Sequence, residues 1–195
     1  MLSNSRRNAL LVMDFQQDIV SMAATGGSAK AVQRAAAAVA AARSHSVLVV
    51  FVRVAYRDGY PDASPNNKRV SVLREKGLLK ESSSGAQLVA EIGVQPGDPV
   101  VVKRRVSALA HTDLATLLSS NDVDTLVLAG LVTSGVVLST VRQAADADYR
   151  LVVLEDACAD ADPEVHRTLM TKVFPMQASV VTVDAFASEL AAVRR

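Results

Sequence analysis

The sequence predicts a three-layer α/β fold built on a parallel sheet. Six short apolar runs carry the prediction first: Ala9–Met13, Val47–Val54, Val100–Val102, Thr125–Ala129, Leu151–Leu154 and Ser179–Val183. They are rich in Val and Leu and do not alternate with polar residues, the pattern of strands buried on both faces. Helical patterns lie between them. The order is strand, helix, strand, a long irregular region, then four strands separated by helices. Right-handed crossovers turn that order into a sheet with helices on both sides.

Each connecting element has its own reason. Ala29–Arg43 is alanine-rich, with Val32, Ala36 and Val39 on one face and Ser28 as N-cap. The stretch Ala55–Asp98 holds Tyr56, Gly59, Tyr60, Pro61, Pro65, Asn66 and Asn67, then a short helix Ser84–Ile92 that stops at Gly93, then the turn Gln95–Asp98. A connection of that length is usually functional or disordered. Thr112–Ser119 follows a Thr cap. Gly135–Ala147 carries Val137, Val141, Ala144 and Ala145 at helical spacing. Asp162 before Pro163 is a cap followed by proline at the first helical position, with Val165, Leu169 and Val173 as the stripe beyond. Asp184 is read as the cap of a last helix through Val193.

Composition bounds the function. The chain has 195 residues, 50% of them hydrophobic, which suits one domain over 1–195 with a sizeable core. A net charge of +1 gives no strong field, so neither nucleic acid nor an acidic membrane is expected as partner. Cys158 is the single cysteine, which excludes a disulfide framework and a cysteine-built zinc or iron–sulfur site. No apolar run approaches the ~20 residues that span a bilayer. Arg6 and Arg7 are followed by too short an apolar run for a signal peptide, so the expected compartment is the cytoplasm.

In open parallel sheets, ligands bind beyond the carboxyl ends of the strands. The first strand delivers Asp14 there, the third delivers Lys103, and the fourth delivers Gly130-Leu131-Val132-Thr133-Ser134-Gly135-Val136, which runs into a helix. A carboxyl and an ammonium in one crevice can do acid–base work, each shifting the other's pKa. The N–H groups at the helix start can hold an oxyanion. The competing reading is a loop cap or a structural ion pair between Asp14 and Lys103, and position alone does not choose.

Asp14-x-Gln16, Lys103-x-Arg105-x-Ser107-Ala108, and Gly130-x-x-Thr133 with Thr140 and Ala144 together resemble the isochorismatase-like hydrolase superfamily. The resemblance runs over nearly the whole chain. It implies a Rossmann-like six-stranded sheet of order 3-2-1-4-5-6 and a non-proline cis peptide at Leu131–Val132. It also implies an Asp–Lys–Cys triad in which Asp14 and Lys103 match, while the position of the nucleophilic cysteine is Val136. An alkyl group cannot attack, and Cys158, in a different segment, reads as a small buried structural cysteine.

The resemblance further implies substrate or oxyanion contacts from Gln16, Leu131, Val132, Thr133 and Gly135. Isochorismatases in the superfamily also lack the cysteine. They hydrolyse a vinyl ether by protonating its carbon, the role Asp14 would take. A dicarboxylate substrate wants cations, for which Arg53, Arg57, Arg104 and Arg105 are candidates. No cofactor and no catalytic metal are expected, since the stretch Arg53–Asp58 lacks the histidines of the metal site that nicotinamidases often have. Thr133 and Ser134 have no histidine base that the sequence places nearby, and His45, His111 and His166 read as unrelated. Thr25-Gly26-Gly27-Ser28 reads as a helix-capping loop, not a phosphate loop. The expectation is a hydrolase of a small metabolite, a homodimer or homotetramer. The alternative is a non-catalytic relative that binds a metabolite or a partner protein.

Overall fold

The structure is a computed structural model that describes residues 7–24 and 27–193. Strands β1 (Arg7–Met13), β2 (Leu48–Val54), β3 (Val100–Lys103), β4 (Val123–Leu131), β5 (Arg150–Ala159) and β6 (Ser179–Val181) form a parallel sheet of order β3-β2-β1-β4-β5-β6. Around it lie α1 (Gln17–Met22), α2 (Ser28–Ser44), α3 (Lys68–Glu75), α4 (Leu114–Ser120), α5 (Leu138–Asp146), α6 (Pro163–Thr168) and α7 (Val183–Val193). The chain winds outward from β1 to β3, then returns to the other side of β1 as β4. Such a reversal opens a crevice at the strand ends between β1 and β4.

Both faces of β1 are covered, which is why its sequence lacks alternation. Leu10 and Val12 pack with Ala35, Ala38 and Val39 of α2 and with Phe186 and Leu190 of α7. Ala9, Leu11 and Met13 face the other way, onto Leu114 and Leu118 of α4 and Val141 and Ala144 of α5. The buried alanines of α2 keep its apolar face low, so the helix can lie close on the sheet. Among the described residues, no helix is long and apolar enough to cross a membrane.

The sequence is corrected in several places. Ser28 is the first helical residue and not the cap. Gly27, at φ 86°, holds the cap position, and the Ser28 hydroxyl donates to Val20 O at 2.9 Å. Thr25 and Gly26 of the same loop lie outside the described residues. Asp184 sits inside α7 and accepts from Arg34 at 2.7 Å, while Thr182 Oγ1 accepts the Ala185 N–H at 3.2 Å. The helix expected over Ser84–Ile92 is two isolated 3-10 turns, Ser84–Ala86 and Ala90–Ile92. The residues between them are extended, because their backbone pairs with the segment after β1. The Val89 N–H donates to Phe15 O at 2.9 Å, and the Gln17 N–H donates to Gln87 O at 3.2 Å. Gly93 ends the second turn at φ 73°, as read. Helices α1 and α3 were not foreseen. Asn67, taken as loop, caps α3 by accepting the Val70 N–H at 3.3 Å. Finally, β5 runs on through Ala159, so Cys158 lies in the strand opposite Gly130 and not beyond it.

Candidate active site

The floor of the site is set by sheet register. Met13 pairs with Val52 on one side and Gly130 on the other, so Asp14 emerges beside Leu131. Asp14 has φ 62°, and its N–H donates to Val52 O at 2.8 Å. Aspartate adopts this left-handed conformation more readily than most residues, yet it costs of order 1–3 kcal/mol. Lys103 ends β3, opposite Val54 of β2. Two strand spacings, about 10 Å, separate its strand from β1. The lysine stem crosses that gap under cover, and Nζ meets Asp14 Oδ2 at 2.9 Å with both residues buried. Lys103 Nζ also donates to Arg105 O at 3.1 Å. Asp14 Oδ1 is buried and has no hydrogen-bond partner. Burial pushes the Asp14 carboxyl above the usual carboxylate range, outweighing Lys103 and the weaker pull of Arg69.

Above this pair lies a cavity of about 40 Å³. Leu131, Val132, Gly135 and Val136 form one side of it, where β4 turns into α5. The Leu131–Val132 peptide is cis. The turn comes close to the sheet because residue 130 is glycine. A Cβ there would lie 3.1 Å from Val137 Cγ2 and 3.2 Å from Met13 O. Val136 is 2% exposed and presents its alkyl group to the same space as Asp14 and Lys103.

The opposite side comes from α1 and the β2–β3 connection, through Ile19, Met22, Tyr56, Val70, Leu73 and Leu79. Its irregular backbone is pinned piece by piece. The Tyr56 N–H donates to Leu79 O at 2.8 Å, and the Glu81 N–H donates to Tyr56 O at 2.8 Å. Asp18 Oδ2 of α1 accepts the Leu79 N–H at 3.0 Å. Arg69 and Arg105 reach the cavity from its exposed mouth.

The chain as a whole is similar to known proteins. The Isochorismatase domain matches residues 8–185. The chain belongs to the isochorismatase family. It is 31% identical over 185 residues to the uncharacterized isochorismatase family protein YwoC of Bacillus subtilis, covering 95% of each chain. It is 31% identical over 201 residues to the ureidoacrylate amidohydrolase RutB of an Enterobacter species, covering 93% of this chain and 84% of that one. A solved isochorismatase family protein from Desulfovibrio vulgaris superposes with a TM-score of 0.84 at 29% identity, covering 95% of this chain and 99% of that one.

In this member of the isochorismatase family, not every residue expected at the site touches the cavity. Gln16 is fully buried beside it, with its amide spent on the main chain. Nε2 donates to Val54 O at 2.8 Å and Ala86 O at 2.7 Å, and Oε1 accepts the Val54 N–H at 2.8 Å. It ties β1 to β2 and to the far wall. The Gly135 N–H already donates to Val132 O at 3.0 Å, and the Ser134 N–H to Asp160 Oδ2 at 2.7 Å. Thr133 is fully buried behind the turn, where Oγ1 lies 2.9 Å from His166 Nδ1.

That last contact corrects the expectation that no histidine lies near the turn. His166 sits on α6, which follows β5, the neighbour of β4, and that adjacency was the available signal. Burial holds the His166 ring below the usual histidine range, while Asp160 and Glu155 pull it upward. Cys158 lies outside the cavity lining, 4% exposed among apolar groups, and burial pushes its thiol up to about 12. Of the arginines named as cations, only Arg105 reaches the cavity. Arg53 donates to Ala86 O, Arg57 pairs with Asp62, and Arg104 pairs with Asp62 and Glu81. Arg69 was missed because α3 was. Among the described residues no group of three or more His, Cys, Asp and Glu is gathered as for a metal ion.

Proposed function

We propose that the chain is a hydrolase of a small metabolite that works through Asp14 and Lys103 without a cysteine nucleophile. One observation carries the reading: the second carboxyl oxygen of Asp14 is buried, unpartnered and beside a cavity, while the first is held by Lys103. A buried oxygen without a partner costs free energy unless a bound molecule supplies one.

The raised Asp14 pKa suits a proton donor. With a vinyl ether, Asp14 gives its proton to the terminal carbon, and the C=C electrons form that C–H bond. The oxocarbenium ion left behind is attacked by water. Loss of the water's proton, returned to Asp14, gives a hemiketal that collapses to a ketone and an alcohol. Lys103 holds the transient carboxylate. None of these steps uses a thiol, which fits Val136. The amidohydrolase activity named for the Enterobacter relative is the neighbouring possibility, and here water would have to replace the thiol.

Val136 itself favours a second reading, a relative that binds a metabolite and does not turn it over. One experiment separates the two: product detection against vinyl ethers, amides and carbamoyl compounds, with wild type and Asp14→Asn run together. Turnover of one class, reduced by about 10²–10⁴ in the variant, supports the hydrolase. Ligand-induced stabilisation with no product from any class would overturn it in favour of binding.

A further inference from the structure

The turn that walls the cavity is gripped from behind at two consecutive residues, and neither grip involves the Asp14–Lys103 pair. Val132, Gly135 and Val136 line the cavity, while Thr133 and Ser134 bond away from it. The Ser134 N–H donates to Asp160 Oδ2 at 2.7 Å, and the other oxygen of that buried carboxyl accepts the Asp162 N–H at 3.5 Å. Asp162 in turn caps α6 by accepting the Glu164 N–H at 2.8 Å. The second grip comes from the same helix, where His166 Nδ1 lies 2.9 Å from Thr133 Oγ1. A short helix that supplies no described residue to the cavity lining is thereby tied to the turn at two adjacent points. The His166 grip works in one protonation state only. Thr133 is fully buried, and among the described residues His166 is the only hydrogen-bond partner of its hydroxyl. A buried hydroxyl hydrogen left without an acceptor is costly. Nδ1 accepts it only when the ring is neutral with its own hydrogen on Nε2. Once the ring is protonated, Nδ1 carries a hydrogen and the Thr133 O–H has nothing to donate to.

We propose that His166 is a positioning residue for the candidate active site: through Thr133 its neutral ring holds Val132 and Val136 in place against the cavity, and protonation of the ring releases that wall. The inference rests on reading the Asp14–Lys103 cavity as the substrate site, and it adds a control of that site from outside its lining. The charges around the ring come from few places. Asp160, after β5, and Glu155, on β5, favour the cation, and burial of the half-buried ring opposes them and prevails. The turn Thr133–Val137 brings no titratable side chain. On α6 itself, Glu164 and Arg167 pair with each other on the exposed side. The ring is therefore neutral at neutral pH, and the grip is lost only in acid.

The test begins with wild type, so it depends neither on a variant's folding nor on turnover. The methyl NMR signals of Val132 and Val136 are followed beside the ring signal of His166 as pH is lowered. Both valines are expected to shift with the midpoint of the ring, which lies below 6.5, while Leu10 and Val12 on the far face of the sheet stay in place. Thr133→Val, close in shape, should let the ring titrate without moving the other two valines. His166→Asn keeps an acceptor near the place of Nδ1 and should hold them at their neutral-pH positions throughout. His166→Leu should hold them at their acid positions at every pH. With a substrate that turns over, His166→Leu should lower kcat about ten- to hundredfold, and His166→Asn should restore most of it. The proposal is overturned if Val132 and Val136 ignore the ring, if they follow it equally in Thr133→Val, or if His166→Leu keeps wild-type kcat. Valines that follow the ring in a protein that turns over no vinyl ether, amide or carbamoyl compound would uphold the positioning role and overturn the hydrolase reading instead.

Discussion

The two walls of the cavity are built by different means. On the strand-end side, Asp14, Lys103 and Leu131–Val136 are located by sheet register, so knowing the strand order nearly fixes where they meet. On the other side, Tyr56, Arg69 and Leu79 belong to a long connection with little regular structure, held by single hydrogen bonds to α1 and to the chain after β1. The first wall has little freedom to change without disturbing the sheet. The second can change its side chains and path while the sheet stays intact. On the function proposed above, the chemistry belongs to the rigid wall, and the adaptable one is free to shape the rest of the cavity.

The sharpest way to break that division is to attack each wall and compare. Asp14→Asn should lower kcat by about 10²–10⁴. Steady-state kinetics on both proteins reads the loss. If the Asn variant kept wild-type kcat, the rigid wall would not be the chemical one. Lys103→Ala and Asp14→Asn should each cost about 3–5 kcal/mol in stability, since each leaves one member of the buried pair without its partner. Urea unfolding of both variants checks the losses.

The same division explains what could be read beforehand. All six strands and the strand-end places of Asp14 and Lys103 followed from apolar runs, because buried parallel strands leave a strong local signal, while the order of the sheet followed from the family resemblance. The connection gave no such signal. Its backbone donors bond to residues far away in sequence, as Val89 does to Phe15, so Ser84–Ile92 looked helical and is not. Arg69 could be assigned no direction without α3, whose cap, Asn67, is indistinguishable in sequence from a loop asparagine. Gln16 misled for the opposite reason. The resemblance implies a ligand contact for it, yet its partners are main-chain groups of Val54 and Ala86.

Gln16 is thus the seam between the two walls. Gln16→Leu keeps the volume but leaves the Val54 N–H and the Val54 and Ala86 carbonyls without this partner in a buried place. The expected loss is about 3 kcal/mol, and amide exchange should rise selectively around residues 84–89. A uniform rise across the sheet would mean that the walls are not separable units.

Val136→Cys probes the floor with a smaller perturbation, about 1 kcal/mol of lost packing. The new thiol faces the cavity beside Lys103, at the start of the turn into α5, conditions that favour the thiolate. It should alkylate quickly, whereas Cys158, buried and with its thiol pushed up to about 12, supplies an unreactive internal reference. Equal labelling of the two cysteines would show that residue 136 does not open on the cavity.

The smallest effect expected is on the pH dependence of stability, where buried Asp14 and half-buried His166, behind the turn, act with opposite signs. Asp14 has its pKa raised by folding above the ordinary 3.8, so its protonated form is the one the fold tolerates. Its contribution is present at low pH and is lost as pH rises through the raised value. His166 has its pKa lowered by folding below the ordinary 6.5, so its neutral form is favoured behind the turn. Its contribution is present above 6.5 and is lost as pH falls through the lowered value. The two contributions have opposite signs, so wild type alone shows only their sum. Urea midpoints measured across mildly acidic pH should separate them: Asp14→Asn removes the loss on raising pH, and His166→Gln removes the loss on lowering it. If His166→Gln left the acid limb unchanged, the ring would not be titrating against the fold, and Thr133 would be held by geometry alone.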